Sequence, residues 1–168
     1  MQRTLVMIGV AGCGKSEIGQ RLASRLGGRF VEGDALHEAG NVAKMAGGVP
    51  LTDADRQVWL LRLQRVIAAA RTADETIVVS CSALKRRYRQ TLREGDAALF
   101  CVHLRAGREV LQARMRARTH FMPVALLDSQ LREFEPLAGN EAGICIDVDT
   151  AAPDDVVARI AGMLESHH

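Results

Sequence analysis

The chain has 168 residues, 48% of hydrophobic type and 25% charged, and its 22 basic against 20 acidic side chains leave a net charge of +2. That length and apolar content suit one domain, 1–168, around one sizeable core, and so even a charge balance gives no reason to expect a nucleic acid or an anionic membrane as partner. The longest apolar runs, 76–79 and 99–102, are far too short to cross a bilayer, residues 1–10 lack a signal-peptide pattern, and Cys13, Cys81, Cys101 and Cys145 are too scattered for a zinc site or a disulfide framework, so a cytoplasmic protein acting on a small molecule is expected.

Taken in order, residues 5–10 form a short apolar run that meets a glycine-rich stretch and then an amphipathic segment from about Lys15 to Leu26, with Ile18, Leu22 and Leu26 on one face. This predicts strand, loop, helix. Further apolar runs at 29–31, 76–81, 99–104 and 143–148 alternate with helical patterns, which predicts a three-layer α/β sandwich with a mostly parallel sheet. A helix is predicted from near Thr52, where Asp55 three residues on completes a capping-box pattern, to near Thr72, with Trp59, Leu63, Val66, Ile67 and Ala70 at helical spacing. The arginine-rich stretch 107–131 is read as a mobile lid, and 154–164, after Pro153, as a closing helix.

Residues 9–16 read Gly-Val-Ala-Gly-Cys-Gly-Lys-Ser, a complete G-x-x-x-x-G-K-[ST] loop placed between the first strand and the first helix, where its chemistry requires it. Glycines let the backbone wrap an anion so that N–H groups and the helix N-terminus face the phosphates. The nucleotide-contacting positions are thus Gly9, Gly12, Cys13, Gly14, Lys15, Ser16 and Glu17. Lys15 would reach the β- and γ-phosphates and Ser16 would ligate magnesium, while the Cys13 thiol has no role in phosphoryl transfer. No N-K-x-D motif is present, which favours ATP over GTP. The 76–81 strand carries no terminal Asp to support the metal, but residues 30–34, Phe-Val-Glu-Gly-Asp, offer two carboxylates. Strand alternation aims both to one side as the chain leaves the sheet, so Glu32 is assigned to magnesium and Asp34 to orienting and deprotonating an attacking hydroxyl.

His37, Asn41 and Lys44 follow at spacings of four and three, one face of a helical turn suited to a polyhydroxylated anion. The stretch 33–37 (Gly-Asp-Ala-Leu-His) with Asn41, Lys44 and 48–56, then 81–85 (Cys-Ser-Ala-Leu-Lys) with Tyr88 and Arg89, and His120-Phe121-Met122-Pro123 with Ser129-Gln130, together resemble the gluconate kinase family over residues 5 to about 136. The chain departs from the family pattern at Glu38 and Val58, where the family has proline, and at 118–121, one residue shorter. The resemblance implies a fold similar to shikimate and nucleoside monophosphate kinases, ATP-dependent phosphorylation of gluconate at its terminal hydroxyl to 6-phosphogluconate, and a homodimer. A carboxylate substrate needs a cation, and Arg56 or Lys85 would pair with it while His37, Asn41, Ser82 and, in the lid, His120 bind its hydroxyls; for Arg56 a salt bridge to Asp53 or Asp55 is the competing expectation. Arg114 and Arg118, four apart, would share a helix face and reach the transferring phosphoryl group. Two other functions stay open: a related kinase acting on shikimate or another sugar acid, and a nucleotide-binding regulatory module.

Overall fold

The computed structural model describes residues 2–117 and 123–166. Five strands, β1 (Thr4–Ile8), β2 (Arg29–Glu32), β3 (Ile77–Ser80), β4 (Phe100–Arg105) and β5 (Gly143–Asp147), form one sheet in the order β2-β3-β1-β4-β5. Every pairing is parallel, with Val6 opposite both Val79 and Cys101. The sheet is therefore wholly parallel where the sequence predicted a mostly parallel one. Strands β1 and β3, at the middle, are buried at every position and are correspondingly apolar, whereas β5, at an edge, alternates buried Ile144 and Ile146 with exposed Cys145 and Asp147.

Among the described residues seven α-helices cover the sheet: α1 (Lys15–Leu26), α2 (Ala39–Ala46), α3 (Asp53–Thr72), α4 (Arg86–Arg93), α5 (Arg108–Ala117), α6 (Ala125–Glu133) and α7 (Pro153–Ser166). Alternate side chains of the strands feed two cores. Met7, Val78, Val102 and Leu104 pack with α1, α5, α6 and α7, whereas Val6, Ile8, Val79 and Cys101 pack with α3 and α4. The capping box at the start of α3 is closed in both directions, since Asp55 N–H donates to Thr52 Oγ1 (3.1 Å) and Thr52 N–H to Asp55 Oδ2 (2.9 Å). Trp59, Leu63 and Ile67 on this helix are at most 1% exposed, each worth about 1.5–3 kcal/mol of burial. Of the 107–131 stretch expected to be a lid, α5 and α6 commit Leu111, Met115, Leu126 and Leu127 to the core.

All five strands run in one direction, so their C-terminal ends open on one rim. Ligands bind at that rim in parallel sheets, and there the loop after β1, the turn after β2 and the loop after β3 meet.

Candidate active site

Residues 9–16 wrap tightly between β1 and α1. Gly9, Gly12 and Gly14 take φ of 147°, 84° and 90°, and a Cβ on Gly9 would fall 2.6 Å from Leu104 O, so the loop is also pressed against the end of β4. Lys15 lies over its own loop, its Nζ 3.1 Å from Val10 O. Ser16 donates its hydroxyl to Glu32 Oε2, and Ser80, the last residue of β3, donates to Glu32 Oε1 at 2.6 Å. Glu32 at the end of β2 thus holds Ser80 on β3, the strand it pairs with, and reaches across that strand to the phosphate loop after β1, so that the oxygens of Ser16, Glu32 and Ser80 lie together, a set that fits magnesium.

The chain then turns through a 3-10 segment, Gly33–Leu36, that carries Asp34. Gly33 sits so close to β3 that a Cβ there would lie 2.1 Å from Ser80 O. Its carbonyl accepts from Trp59 Nε1 at 2.8 Å, which pins the turn to α3. Burial, and after it the Asp34 carboxylate, hold the Cys81 thiol well above the usual thiol range, with Lys15 pulling the other way. Lys15 and Asp34 therefore act on one buried atom at the start of the loop after β3.

His37 stacks flat on Trp59, centroids 4.3 Å apart and planes 14° from parallel. Burial first, and then the Arg56 charge, lower its pKa to about 4, so the ring is neutral and can both donate and accept. Asn41 Nδ2 lies 3.5 Å from His37 Nδ1 and donates to Asp55 O at 2.7 Å, and Lys44 pairs with Asp55 at 2.8 Å. Asn41 and Lys44 thus share α2 and both lean on the start of α3, whereas His37, predicted to lie on the same helical face, precedes the helix in extended backbone (φ −66°, ψ 145°) and meets Asn41 only through its ring.

For Arg56 the competing expectation, a salt bridge to Asp53 or Asp55, does not hold. The residue is 7% exposed, donates to Tyr88 Oη at 3.0 Å and pairs with Glu133 of α6 at 3.0 Å. The reason is rotational: Arg56 lies on the inward side of α3, facing α4 and α6. Asp53 instead gathers Lys85 Nζ (3.0 Å), Tyr88 Oη and Arg87. Ser82 is half-buried in the same loop. Arg114 was expected to point at the transferring phosphoryl group; its guanidinium donates to Val148 O at 2.6 Å and to Asp149 O at 3.4 Å, at the loop after β5. Arg118 and His120 lie outside the described residues.

Two residues that the sequence marked only through the family resemblance, Arg89 and Gln130, make contacts at this rim that it did not predict. Arg89, fully buried, pairs with Glu141 at 2.9 Å and donates to the carbonyls of Ala83, Leu84 and Pro136, each at 3.3 Å, so it holds the 81–85 loop in shape from beneath. Gln130 of α6 accepts the Ala11 N–H at 2.7 Å. The Arg89–Glu141 and Ala11–Gln130 contacts join residues 52 and 119 positions apart, and nothing local in the sequence signals such partners.

A phosphate loop at the C-terminal rim of a five-stranded parallel sheet, with Glu32 bonded to its Ser16, is the arrangement of a P-loop kinase. The chain matches the AAA domain family model over residues 5–137. It is 46% identical over 159 residues to a gluconokinase of Gluconobacter oxydans, covering 94% of this chain and 89% of that one. Among solved structures it resembles a gluconokinase from Sinorhizobium meliloti (40% identity, TM-score 0.83, 98% of this chain and 97% of that one) and an unliganded sugar kinase from Janibacter (40%, TM-score 0.93, 98% and 95%). Shikimate kinase from Acinetobacter baumannii, at 17% identity and TM-score 0.58 over 99% and 95% of the two chains, shares the fold. The chain belongs to the gluconokinase family. Among the described residues no helix is long and apolar enough to cross a membrane.

Proposed function

We propose that the chain transfers the γ-phosphoryl group of ATP to the terminal hydroxyl of gluconate, giving 6-phosphogluconate and ADP. The observation that carries the reading is the meeting of the phosphate loop with the Glu32–Asp34 turn in a chain of this family. Lys15 leaves Val10 O to hold the β- and γ-phosphates. Ser16 and Glu32 would hold magnesium, which neutralises phosphate charge. Asp34 orients the acceptor hydroxyl and takes its proton as the new O–P bond forms and the bond between the γ-phosphorus and the bridging oxygen breaks, the electron pair leaving with ADP. Neutral His37, with Asn41 and Ser82, binds the acceptor hydroxyls, and Arg56 or Lys85 pairs with its carboxylate, which would take the place of the partner each now holds, Glu133 for Arg56 and Asp53 for Lys85. Arg118 and His120 belong to the closing segment in this reading. A homodimer, implied by the family resemblance, is also part of the proposal.

The test is ADP release with ATP and magnesium across gluconate, shikimate, several other sugar acids and AMP, beside a control without acceptor. Selective stimulation by gluconate is expected. Stimulation by another acceptor would move the specificity, and none at all would leave a nucleotide-binding module.

A further inference from the structure

One peptide unit of the phosphate loop, between Val10 and Ala11, is held at both ends. Its carbonyl accepts from Lys15 Nζ at 3.1 Å and from Cys13 N–H at 3.4 Å. Its N–H donates to Gln130 Oε1 at 2.7 Å in a buried contact that joins residues 119 apart. The two restraints differ in kind. The lysine restraint is temporary, because the ammonium that holds the carbonyl is the group that must move to the phosphates when ATP arrives. Among the described residues Gln130 is then the remaining side chain bonded to this peptide, and it fixes which way the peptide faces. A peptide that rotated would swing a carbonyl oxygen, a partial negative charge, toward the anion the loop has to bind.

Gln130 is itself held firmly. Its helix, α6, buries Leu126 and Leu127 in the core, pairs Asp128 with Arg108 of α5 through two bonds of 2.7 and 3.0 Å, and pairs Glu133 with Arg56 of α3. Helix α6 therefore touches the phosphate loop, the helix that opens the 107–131 segment, and the helix that lines the acceptor side.

We propose that Gln130 is a positioning residue for phosphoryl transfer: through its side-chain oxygen, α6 sets the orientation of the Val10–Ala11 peptide and so the affinity of the loop for the nucleotide. It touches no reacting atom, and its effect is exerted through Ala11.

The direct measurement is hydrogen exchange of the Ala11 amide in the wild-type protein by NMR. Strong protection without nucleotide is expected, persisting when ADP and magnesium are added and Lys15 is drawn away; exchange at the rate of an open loop in either state overturns the proposal. The second is kinetic. Gln130→Met keeps the length of the side chain but has no oxygen, which leaves the Ala11 N–H without its partner. It is expected to raise KM for ATP on the order of tenfold while KM for gluconate stays within twofold. Gln130→Glu, which keeps an oxygen at the same reach, is expected to recover most of that loss. Equal defects in the two variants, a defect confined to gluconate, or wild-type KM for ATP in a folded Gln130→Met protein would each refute it. If Gln130→Met does not fold, the exchange measurement and Gln130→Glu decide the matter alone.

Discussion

Replacing Gly33 by alanine tests how closely the catalytic turn is fitted to the sheet. The added Cβ would lie 2.1 Å from Ser80 O, 3.2 Å from Ser80 C and 3.5 Å from Cys81 Cα. All three belong to the backbone of β3 and the residue after it, and the end of β3 is fixed by its pairing with β1 and β2. Relief therefore has to come from the turn, which must retreat by about 1 Å to reach a tolerable contact. That retreat strains the 2.8 Å bond from Trp59 to Gly33 O, displaces Asp34 and pulls on Glu32. Overpacking of this kind costs about 1–3 kcal/mol of stability, and a displacement of about 1 Å in a reacting group costs on the order of a hundredfold in turnover. The assay pairs urea denaturation with ADP release under saturating ATP and gluconate. Gly162→Ala in α7, where an added Cβ meets nothing within 4 Å, is the control. It is expected to keep full activity and to gain about 0.5–1 kcal/mol. Turnover within twofold of wild type in Gly33→Ala, with unchanged stability, would show that the turn is not seated as described.

Asp34→Asn is expected to leave ATP binding nearly unchanged and to lower kcat on the order of a hundredfold or more; near-normal turnover removes the base from the mechanism. Glu141→Gln should destabilise the protein by about 3–5 kcal/mol, because Arg89 would remain buried beside a neutral partner; an unchanged urea midpoint would contradict the buried pair. His37 and His103 both have pKa values lowered to about 4, chiefly by burial. In the unfolded chain they take up protons near pH 6.5, so between about pH 6.5 and 4 the unfolded state binds more protons and stability falls as the pH falls. Denaturation midpoints at pH 7 and pH 5 check the sign, and a flatter profile in the His37→Gln, His103→Gln double variant assigns it.

The sequence carried the parts of the fold that local chemistry decides. Helix α3 begins and ends where the capping pattern and the apolar spacing put it, and the five strands fall within two residues of the predicted runs, because buried parallel strands are distinctive blocks of apolar residues. Assigning Ser16 and Glu32 to one metal put the two side by side, and they are bonded in the structure, although Asp34, expected to alternate with Glu32 along the strand, lies in a 3-10 segment. Arg56 could not be placed in the same way. Its partners, Tyr88 and Glu133, are 32 and 77 positions away, and whether an arginine on a helix faces a ligand or a neighbouring helix depends on how far the whole helix is rotated in the packed molecule. For Arg114, too, helical spacing gave the face but not what that face meets in the folded chain, the carbonyls after β5. Gln130 stood in the sequence only as part of the Ser129-Gln130 resemblance, and nothing local showed that it accepts the Ala11 N–H of the phosphate loop.

The chain has a single tryptophan, and it stands between the two halves of the proposed acceptor site. One face of the indole carries the His37 ring, and its N–H carries the turn that bears Asp34. An acceptor that draws on His37 or shifts that turn must alter the surroundings of this one fluorophore, while the phosphate loop makes no hydrogen bond to it. If the acceptor site is as proposed, this indole is a built-in optical probe of it, and gluconate binding is expected to change the intrinsic emission of the unmodified protein separately from the nucleotide.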